Sequence, residues 1–467
     1  MFEPVIAPSG TLLGLLQRGR GDGTLHALTA PRAEALAALN HCVLRDPRHD
    51  WQVENRSLYY ARLYLDLHGE LDDIEAHLFS AEDVLDTDEC RTGLTLAVLG
   101  HLASYGRRDA LELLRRYAAS GSNWAWALDE LALRDDDAGL RALAAPVLAR
   151  FPADAEGEAE LAVAVRDAFE PRPWRLWADD SRPSVATRVR AAQEAGCFDR
   201  WQRQMRSQGP RPGWSVQAVF DWAQQGIERG AVLHVPAARC LTAVAGPEDR
   251  PEIVEAARFG EDGARCTALR YLADSNDTEA LDLIEAAVAS GSALVVDAAV
   301  DAFERMRSMA AVDRARGWAR RPDALGAAAG RMLACRGGAQ DSDLVLAALR
   351  EGVGEGPDAP PCGPSHARRL GIASAAPVLR HIYRETASSH LRGRGRPPAT
   401  DPSFAAGFAV ECLWDCEEST REVAARHAET GDTRVVERLR RLAADPAEEA
   451  EVQTAVRSRI GPDMPTV

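Results

Sequence analysis

The stretch Asp109–Ser122 reads DALELLRRYAASGS, and it returns without a gap at Glu279–Ser292 as EALDLIEAAVASGS. Seven of the fourteen positions are identical, and three further changes keep the size or the charge of the side chain. In both copies the apolar residues recur three and four positions apart, which is the spacing of one face of an α-helix and not of a strand. The chain therefore repeats a helical unit.

The correspondence continues on both sides of the two copies. Upstream, Leu99 aligns with Leu269; downstream, after a slip of two residues, Leu128 aligns with Val300. A fainter third copy, RVVERLRRLAAD, begins at Arg434. Helical hairpins of this length cannot bury their apolar faces alone, so neighbouring hairpins must stack to complete a core. The sequence thus predicts an all-α fold, an α-solenoid of stacked antiparallel helical hairpins.

One helix ends in LADSND, residues 272–277, and the next begins with EALDLI, residues 279–284. This pattern resembles HEAT repeats, the α-solenoid family that also includes the phycobilin-lyase-like HEAT proteins, and the resemblance is most specific at 91–150, 264–351 and 417–459. It implies a superhelix whose inner helices line a concave recognition surface. Most proteins of this kind are scaffolds, and a minority are enzymes such as HEAT-like DNA glycosylases and bilin lyases. Their catalytic motifs find no match in this chain.

Composition excludes several classes of function. The 467 residues include 55 basic ones, all of them arginine, so Schiff-base chemistry on lysine and the lysine of a P-loop are excluded. A net charge of −16 disfavours a general nucleic-acid binder. Nine scattered cysteines are typical of buried apolar thiols in a reducing compartment. With no signal segment and no long apolar run, we expect a soluble cytoplasmic protein that does not enter a membrane.

Changes in pattern along the chain divide it into segments. We predict an N-terminal arm or cap, a first hairpin array, an irregular Arg/Trp-rich insert, a central array, a Gly/Pro-rich linker and C-terminal hairpins. Their respective boundaries are residues 1–30, 31–165, 166–215, 216–352, 353–364 and 365–467. A second break in the helical pattern falls at 392–400.

The densest chemical feature is the segment 166–214, which holds ten arginines against six acidic residues. Arginines interleaved with tryptophans can grip phosphates and stack on bases. The candidate binding residues are Trp174, Arg175, Trp177, Trp201 and Arg203. The competing interpretation, which we favour, is that the tryptophans pack the insert and the arginines solvate it.

A second candidate set joins Trp124 and Trp126 to the carboxylates of Asp129 and Glu130. In the HEAT-like glycosylases, paired tryptophans and an aspartate hold a flipped base, so the resemblance implies such a role here. The aligned copy carries Leu294 and Val296 at the tryptophan positions. Packing is therefore the favoured interpretation of both tryptophans.

A third set of aromatic residues lies near the N-terminus at Trp51, Tyr59 and Tyr60. Aromatic side chains serve interfaces and cores alike, so recognition and packing remain equally open for this set. For metal, Cys412 and Cys416 share one helical face, but a zinc site needs two further ligands, and His427 is one candidate only. We predict no metal and no cofactor.

Taken together, the sequence favours a non-catalytic protein-interaction scaffold with a protein partner. The alternative is a nucleic-acid-binding or DNA-glycosylase-like protein that uses the Arg/Trp-rich segment, and a third possibility is a small-molecule enzyme with a pocket on the concave face.

Overall fold

The computed structural model describes residues 6–46, 56–85, 89–205, 214–289, 292–352, 381, 383–386, 389 and 408–460. Within these ranges the chain forms helices and no strand, which confirms the all-α prediction. Two compact units are present: unit 1 is Met1–Arg206 with Tyr383–Val467, and unit 2 is Ser207–Ile382. The predicted linker 353–364 and the break at 392–400 lie outside the described residues.

The helices of both units have the following chain order. The first thirteen belong to unit 1: α1 (Leu12–Gln17), α2 (Gly21–Thr29), α3 (Arg32–Leu44), α4 (Arg56–Asp66), α5 (Asp72–Leu78), α6 (Glu82–Leu85), α7 (Glu89–Ser104), α8 (Arg108–Ser120), α9 (Trp124–Arg134), α10 (Asp137–Leu148), α11 (Ala155–Asp167), α12 (Arg172–Ala178) and α13 (Pro183–Met205). Unit 2 contains α14 (Val216–Glu228), α15 (His234–Val244), α16 (Arg250–Phe259), α17 (Asp262–Asp274), α18 (Ala280–Val288), α19 (Ala293–Arg305), α20 (Met309–Trp318), α21 (Ala324–Arg336) and α22 (Ser342–Gly352). Unit 1 then resumes with α23 (Ala409–Cys412), α24 (Glu418–His427), α25 (Thr433–Ala444) and α26 (Ala450–Ile460).

Helices pack on their chain neighbours and also on the helix after next. In unit 1, α7 contacts α4, α8 and α9, while α8 also contacts α10. In unit 2, α17 lies between α15 and α19, and α19 contacts α21. Among the last helices, α24 packs on α26. Each hairpin thus uses its neighbour to bury its apolar stripe, as a repeated amphipathic unit requires.

The two copies of the repeat bury the same stripe. In α8 the buried positions include Ala110, Leu113 and Leu114, and in α18 they include Leu283 and Ile284 at the aligned positions. The turn after α8 is tightly packed, since a Cβ on Gly121 would lie 2.3 Å from the Tyr117 ring. The positions that define the repeat are therefore explained by packing and turning.

The C-terminal helices of unit 1 pack on its N-terminal ones. The backbone N–H of Cys416 donates to the carbonyl of Gly19 over 2.9 Å. At Gly21 the backbones come so close that an added Cβ would lie 1.8 Å from the carbonyl oxygen of Glu411. Only glycine permits this approach between α2 and α23.

A buried network of charges reinforces that contact. Both oxygens of the Glu448 carboxylate accept from Arg421, at 2.7 and 3.0 Å, and the side chains of this pair are 1% exposed or less. Arg62 on α4 contacts the same carboxylate at 3.2 Å and that of Asp445 at 2.7 Å. The hydroxyl of Tyr105 donates to Asp445 over 2.8 Å. Helices from both ends of unit 1 thus share one ion network.

The described prolines of segment 166–215 stand where helices begin. Pro173 occupies the first turn of α12, and Pro183 is the first residue of α13. Proline is tolerated there because the first backbone N–H groups of a helix have no intrahelical acceptor. The segment is consequently helical over most of its described length.

Candidate functional site

Three of the predicted binding tryptophans form one aromatic cluster. The Trp174 and Trp177 rings pack edge to face with centroids 4.9 Å apart, and Trp124 packs on Trp174 at 6.4 Å. Trp177 is fully buried, and its indole N–H donates to the carbonyl of Leu140 over 2.8 Å. Trp174 is 3% exposed. Neither Trp174 nor Trp177 offers a free face on which a nucleic-acid base could stack.

Most arginines of the same segment, as far as the structure describes it, are held by carboxylates. The pairs are Arg166 with Asp167, Arg172 with Asp137, Arg182 with Asp180, Arg188 with Glu158 and Arg190 with Asp179. Arg175 is exposed on α12. The side chains of Trp201 and Arg203 lie outside the described part of the structure. The local excess of positive charge is therefore largely compensated at the described positions.

Two of the three N-terminal aromatic residues, Tyr59 and Tyr60, are core residues. Tyr59 and Tyr60 are 5% and 0% exposed, and their hydroxyls donate to the carbonyls of Arg20 and Leu16 at 2.9 and 3.0 Å. These contacts fix the turn between α1 and α2. Trp51 lies outside the described residues.

Helix α9 carries two carboxylates whose protonation is shifted. Burial raises the pKa of Glu130 to about 7, although its ion pair with Arg134 at 2.7 Å acts in the opposite direction. Glu130 fits against α7 because residue 100 is glycine, where a Cβ would lie 2.0 Å from the Glu130 Oε2 atom. Burial likewise raises the pKa of Asp129 to about 6, and the charge of Glu170 adds to this. Carboxylates shifted in this way often mark functional sites.

His101 lies on the neighbouring helix α7, within reach of the charges of Arg134, Arg62 and Asp445. Burial lowers its pKa to about 4, and the positive charges of Arg134 and Arg62 contribute. The imidazole is thus neutral at pH 7. Trp126 is half-buried against the same core. The geometry therefore combines a neutral imidazole, two carboxylates of raised pKa and one indole along adjacent helices.

We expect Glu130→Gln to change how stability depends on pH. The pKa of Glu130 in the folded state, about 7, exceeds its ordinary value of 4.5. The contribution of Glu130 to the free energy of unfolding is therefore fully present below pH 4.5 and is lost as the pH rises to 7. Between these pH values, the free energy of unfolding of the wild type should therefore fall by up to ~3 kcal/mol relative to that of the variant. Urea unfolding of both proteins at pH 4.5, 5.5 and 7.5 measures the difference. For the control Glu160→Gln, at an exposed position, the plot of the free energy of unfolding against pH should run parallel to that of the wild type. A parallel plot for Glu130→Gln would contradict the burial of this carboxylate.

Next to Asp129 the chain exposes two large apolar side chains. Phe169 is 83% exposed and Leu133 is 61% exposed. The backbone N–H of Glu170 donates to the Asp129 carboxylate over 3.0 Å, which places residues 169 and 170 against α9 one turn from Leu133. We call Asp129, Leu133, Phe169 and Glu170 the Phe169 surface.

Within the described part of the chain, the carboxylates of the Phe169 surface form no ion pair with a basic residue. Among the ion pairs of the described residues, none involves Asp129 or Glu170, and the nearest charge acting on Asp129 is the like charge of Glu170. Arg172 is turned away, because it donates to the carbonyls of Ala132 and Asp135 at the end of α9. The surface therefore joins exposed apolar area to uncompensated negative charge.

Sequence patterns point to Asp129 but not to Phe169. A signal was present: a single phenylalanine stands between the acidic end of α11 and Pro171, in a stretch with no apolar periodicity. Such a residue has no helical face into which it can be buried. The unusual protonation of Glu130 had no comparable signal, because burial by a neighbouring helix cannot be read from local sequence.

Two surface grooves lie away from the Phe169 surface. One, of about 490 Å³, is lined by residues that include Gly69, Arg107 and Glu112. Another, of about 740 Å³, is lined by Pro183, Thr187 and neighbours on α13. Over the described ranges, the histidines, cysteines and acidic residues nowhere assemble into a group of three that could hold a metal ion. Cys412, one of the suggested zinc ligands, lies 3.3 Å from the Tyr383 hydroxyl.

No helix in the described ranges is both long and apolar enough to cross a membrane. Comparisons with protein-family models, with curated proteins and with solved structures find no match to this chain.

Proposed function

We propose that this chain is a HEAT-like α-solenoid that acts as a non-catalytic protein-interaction scaffold, with the Phe169 surface as a docking site for a protein partner. The observation that carries the proposal is an aromatic side chain, Phe169, left 83% exposed beside carboxylates that pair with no described basic residue. Exposed apolar area of this kind on a folded protein is typical of an interaction site.

The packing of the helices supports the architectural half of the proposal. Helices contact the helix after next in each unit, as in the series α15, α17 and α19, which is how stacked hairpins pack. In such an array one face of the inner helices stays open. Helix α9, which carries Asp129 and Leu133, belongs to the corresponding series of α4, α7 and α9 in unit 1.

The chemistry of the Phe169 surface specifies the partner. An apolar side chain of the partner would cover Phe169 and Leu133, and an arginine or lysine would meet Asp129. Because the pKa of Asp129 is raised to about 6 by burial, a cation that stabilises its ionised form would add to the binding energy. A partner segment with adjacent apolar and basic residues fits both features, since aromatic anchors supply much of the energy of protein interfaces.

The proposal can be tested by affinity purification from the native host with mass spectrometry. The double variant Leu133→Ser with Phe169→Ser should lose at least one protein that the wild type retains. Both positions are exposed, so stability should change by about 0.5 kcal/mol or less per site. The matched control, Val232→Ser with Phe259→Ser, removes apolar side chains that are 65% and 78% exposed in unit 2. Identical partner sets for the wild type and the Leu133/Phe169 variant would contradict the docking site.

We do not extend the proposal to nucleic acid. Base stacking would need an accessible aromatic face, and Trp174 and Trp177 are buried. The arginines around them, where described, are mostly held by carboxylates.

A further inference from the structure

Two carboxylates that are distant in the sequence of unit 1 meet at one arginine. The Nη2 atom of Arg20, the residue before α2, binds the Asp22 carboxylate and also lies 3.6 Å from the Oε1 atom of Glu411 on α23. Only 6% of the Arg20 side chain is exposed, and its Nη1 atom donates to the carbonyl of Arg384 over 3.0 Å. A single guanidinium nitrogen thus serves two acids.

The backbones around these acids are in direct contact. The carbonyl oxygen of Glu411 occupies the space that a Cβ at Gly21 would need. A few residues away, the backbone N–H of Cys416 donates to the carbonyl of Gly19 over 2.9 Å. The packing of α2 on α23 therefore holds the Asp22 and Glu411 carboxylates at the same guanidinium.

Two oxygens of this pair lack a hydrogen-bond donor. The Oδ1 atom of Asp22 and the Oε1 atom of Glu411 are buried, and neither accepts a hydrogen bond from a described residue. At 3.6 Å the contact of Glu411 with Arg20 is too long to be a hydrogen bond. An ionised oxygen buried without a donor is costly, and so are two like charges close together. A proton on one of the two acids would reduce both costs.

We propose that Asp22 and Glu411 form a pH-sensitive clasp, which shares one proton while α2 and α23 are in contact and releases it when this contact opens locally. In the closed clasp the proton leaves one negative charge beside the Arg20 guanidinium. Once the proton is lost, two negative charges share that guanidinium, and the contact weakens. The clasp involves no residue of the Phe169 surface.

The electrostatic surroundings support proton uptake by the closed clasp. Burial, together with the charge of Asp22, raises the pKa of Glu411 to about 7, although Arg20 acts in the opposite direction. Burial also raises the pKa of Asp22, with the charge of Arg20 opposing it and that of Asp415 adding to it. Because the pKa of Glu411 exceeds its ordinary value of 4.5, its contribution to the closed contact is present below pH 4.5 and is lost as the pH rises to 7.

Two further charged groups act on Glu411, the carboxylate of Asp415 and the guanidinium of Arg384, and their effects are opposite in sign. Other ionisable side chains near the contact bind elsewhere: Arg18 binds the carbonyl of Glu385, the Tyr59 hydroxyl that of Arg20, the Tyr383 hydroxyl the carboxylate of Asp415, and Arg421 that of Glu448. Within the described ranges, Asp22 and Glu411 are thus the acids for which a shared proton supplies a missing donor.

Hydrogen–deuterium exchange of the full chain at pH 5.5, 7.0 and 8.5 tests the clasp. Peptides that cover residues 19–29 and 408–416 report the opening of the contact, once each rate is divided by the intrinsic amide rate at that pH. In the wild type the opening constant should rise at least ~tenfold from pH 5.5 to pH 8.5, because opening releases a proton over most of this range.

Glu411→Gln keeps the shape of the side chain but cannot ionise, so its opening constant should not rise over this range. The matched control, Glu429→Gln, changes an exposed acid and should follow the wild type. Should Glu411→Gln melt well below the wild type, Asp22→Asn provides the second test and should show a smaller rise than the wild type, because the repulsion between the two acids is removed. A wild-type opening constant that does not change with pH, or a rise of wild-type size in both Glu411→Gln and Asp22→Asn, would overturn the proposal.

Discussion

Replacing Glu448 with alanine should lower the free energy of unfolding by about 3–5 kcal/mol, because it leaves buried arginines without their shared carboxylate. Arg421, 1% exposed, donates to both oxygens of Glu448, and Arg62 contacts one of them at 3.2 Å. Arg438 lies close by, where burial, together with the charges of Arg62 and Arg421, already lowers its pKa to about 9. Removing the carboxylate thus leaves three positive charges with too few acids around them.

The pH dependence of this effect follows from the same contacts. Burial alone would raise the pKa of Glu448, but the charge and hydrogen bonds of Arg421 outweigh it and lower the pKa below its ordinary 4.5. The contribution of Glu448 to the free energy of unfolding is therefore present above pH 4.5 and is lost as the pH falls through the folded-state pKa of Glu448. Urea unfolding at pH 7 and pH 4 measures both effects. The exposed substitution Glu429→Ala should cost about 0.5 kcal/mol or less, and a similarly small cost for Glu448→Ala would contradict the buried network.

The second large effect concerns Trp177, where alanine should cost about 3–5 kcal/mol of stability. The indole is fully buried, packs on Trp174 at 4.9 Å and donates to the carbonyl of Leu140. Its removal leaves a cavity in the core of unit 1 and deletes a buried hydrogen bond to the Leu140 carbonyl.

The control for Trp177 is its neighbour Arg175, which is exposed on the same helix. Arg175→Ala should change the free energy of unfolding by about 0.5 kcal/mol or less. Chemical denaturation followed by far-UV circular dichroism compares the two variants. If Trp177→Ala is as stable as Arg175→Ala, the tryptophan is not a core residue, and its assignment to ligand binding has to be reconsidered.

The repeated stripe is the part of the fold that sequence alone predicts well. Leu113 and Leu114 in one copy, and Leu283 and Ile284 in the other, are buried at aligned positions, because helical periodicity directly reports the face that packs. The same reasoning favoured packing for Trp124 and Trp126, which are half-buried against the core of unit 1.

Other features depend on contacts that are distant in sequence. Arg62 and Glu448 are 386 positions apart, and no local sequence pattern predicts that they are in contact. The prolines near α12 and α13 suggested an irregular insert, although proline is also compatible with the first turn of a helix. The Phe169 surface depends on where the segment after α11 lies on α9. Periodicity therefore predicted the stripes, and it could not predict which surfaces remain uncovered.

Site-specific photocrosslinking in the native host tests the scaffold proposal most directly. The photoreactive analogue p-benzoylphenylalanine replaces Phe169 in one protein and Phe259, a similarly exposed phenylalanine of unit 2, in the other. The account predicts a discrete protein adduct from position 169 and none of the same mass from position 259. An absence of adduct at position 169, or the same adducts from both positions, would contradict the assignment of the Phe169 surface as the docking site.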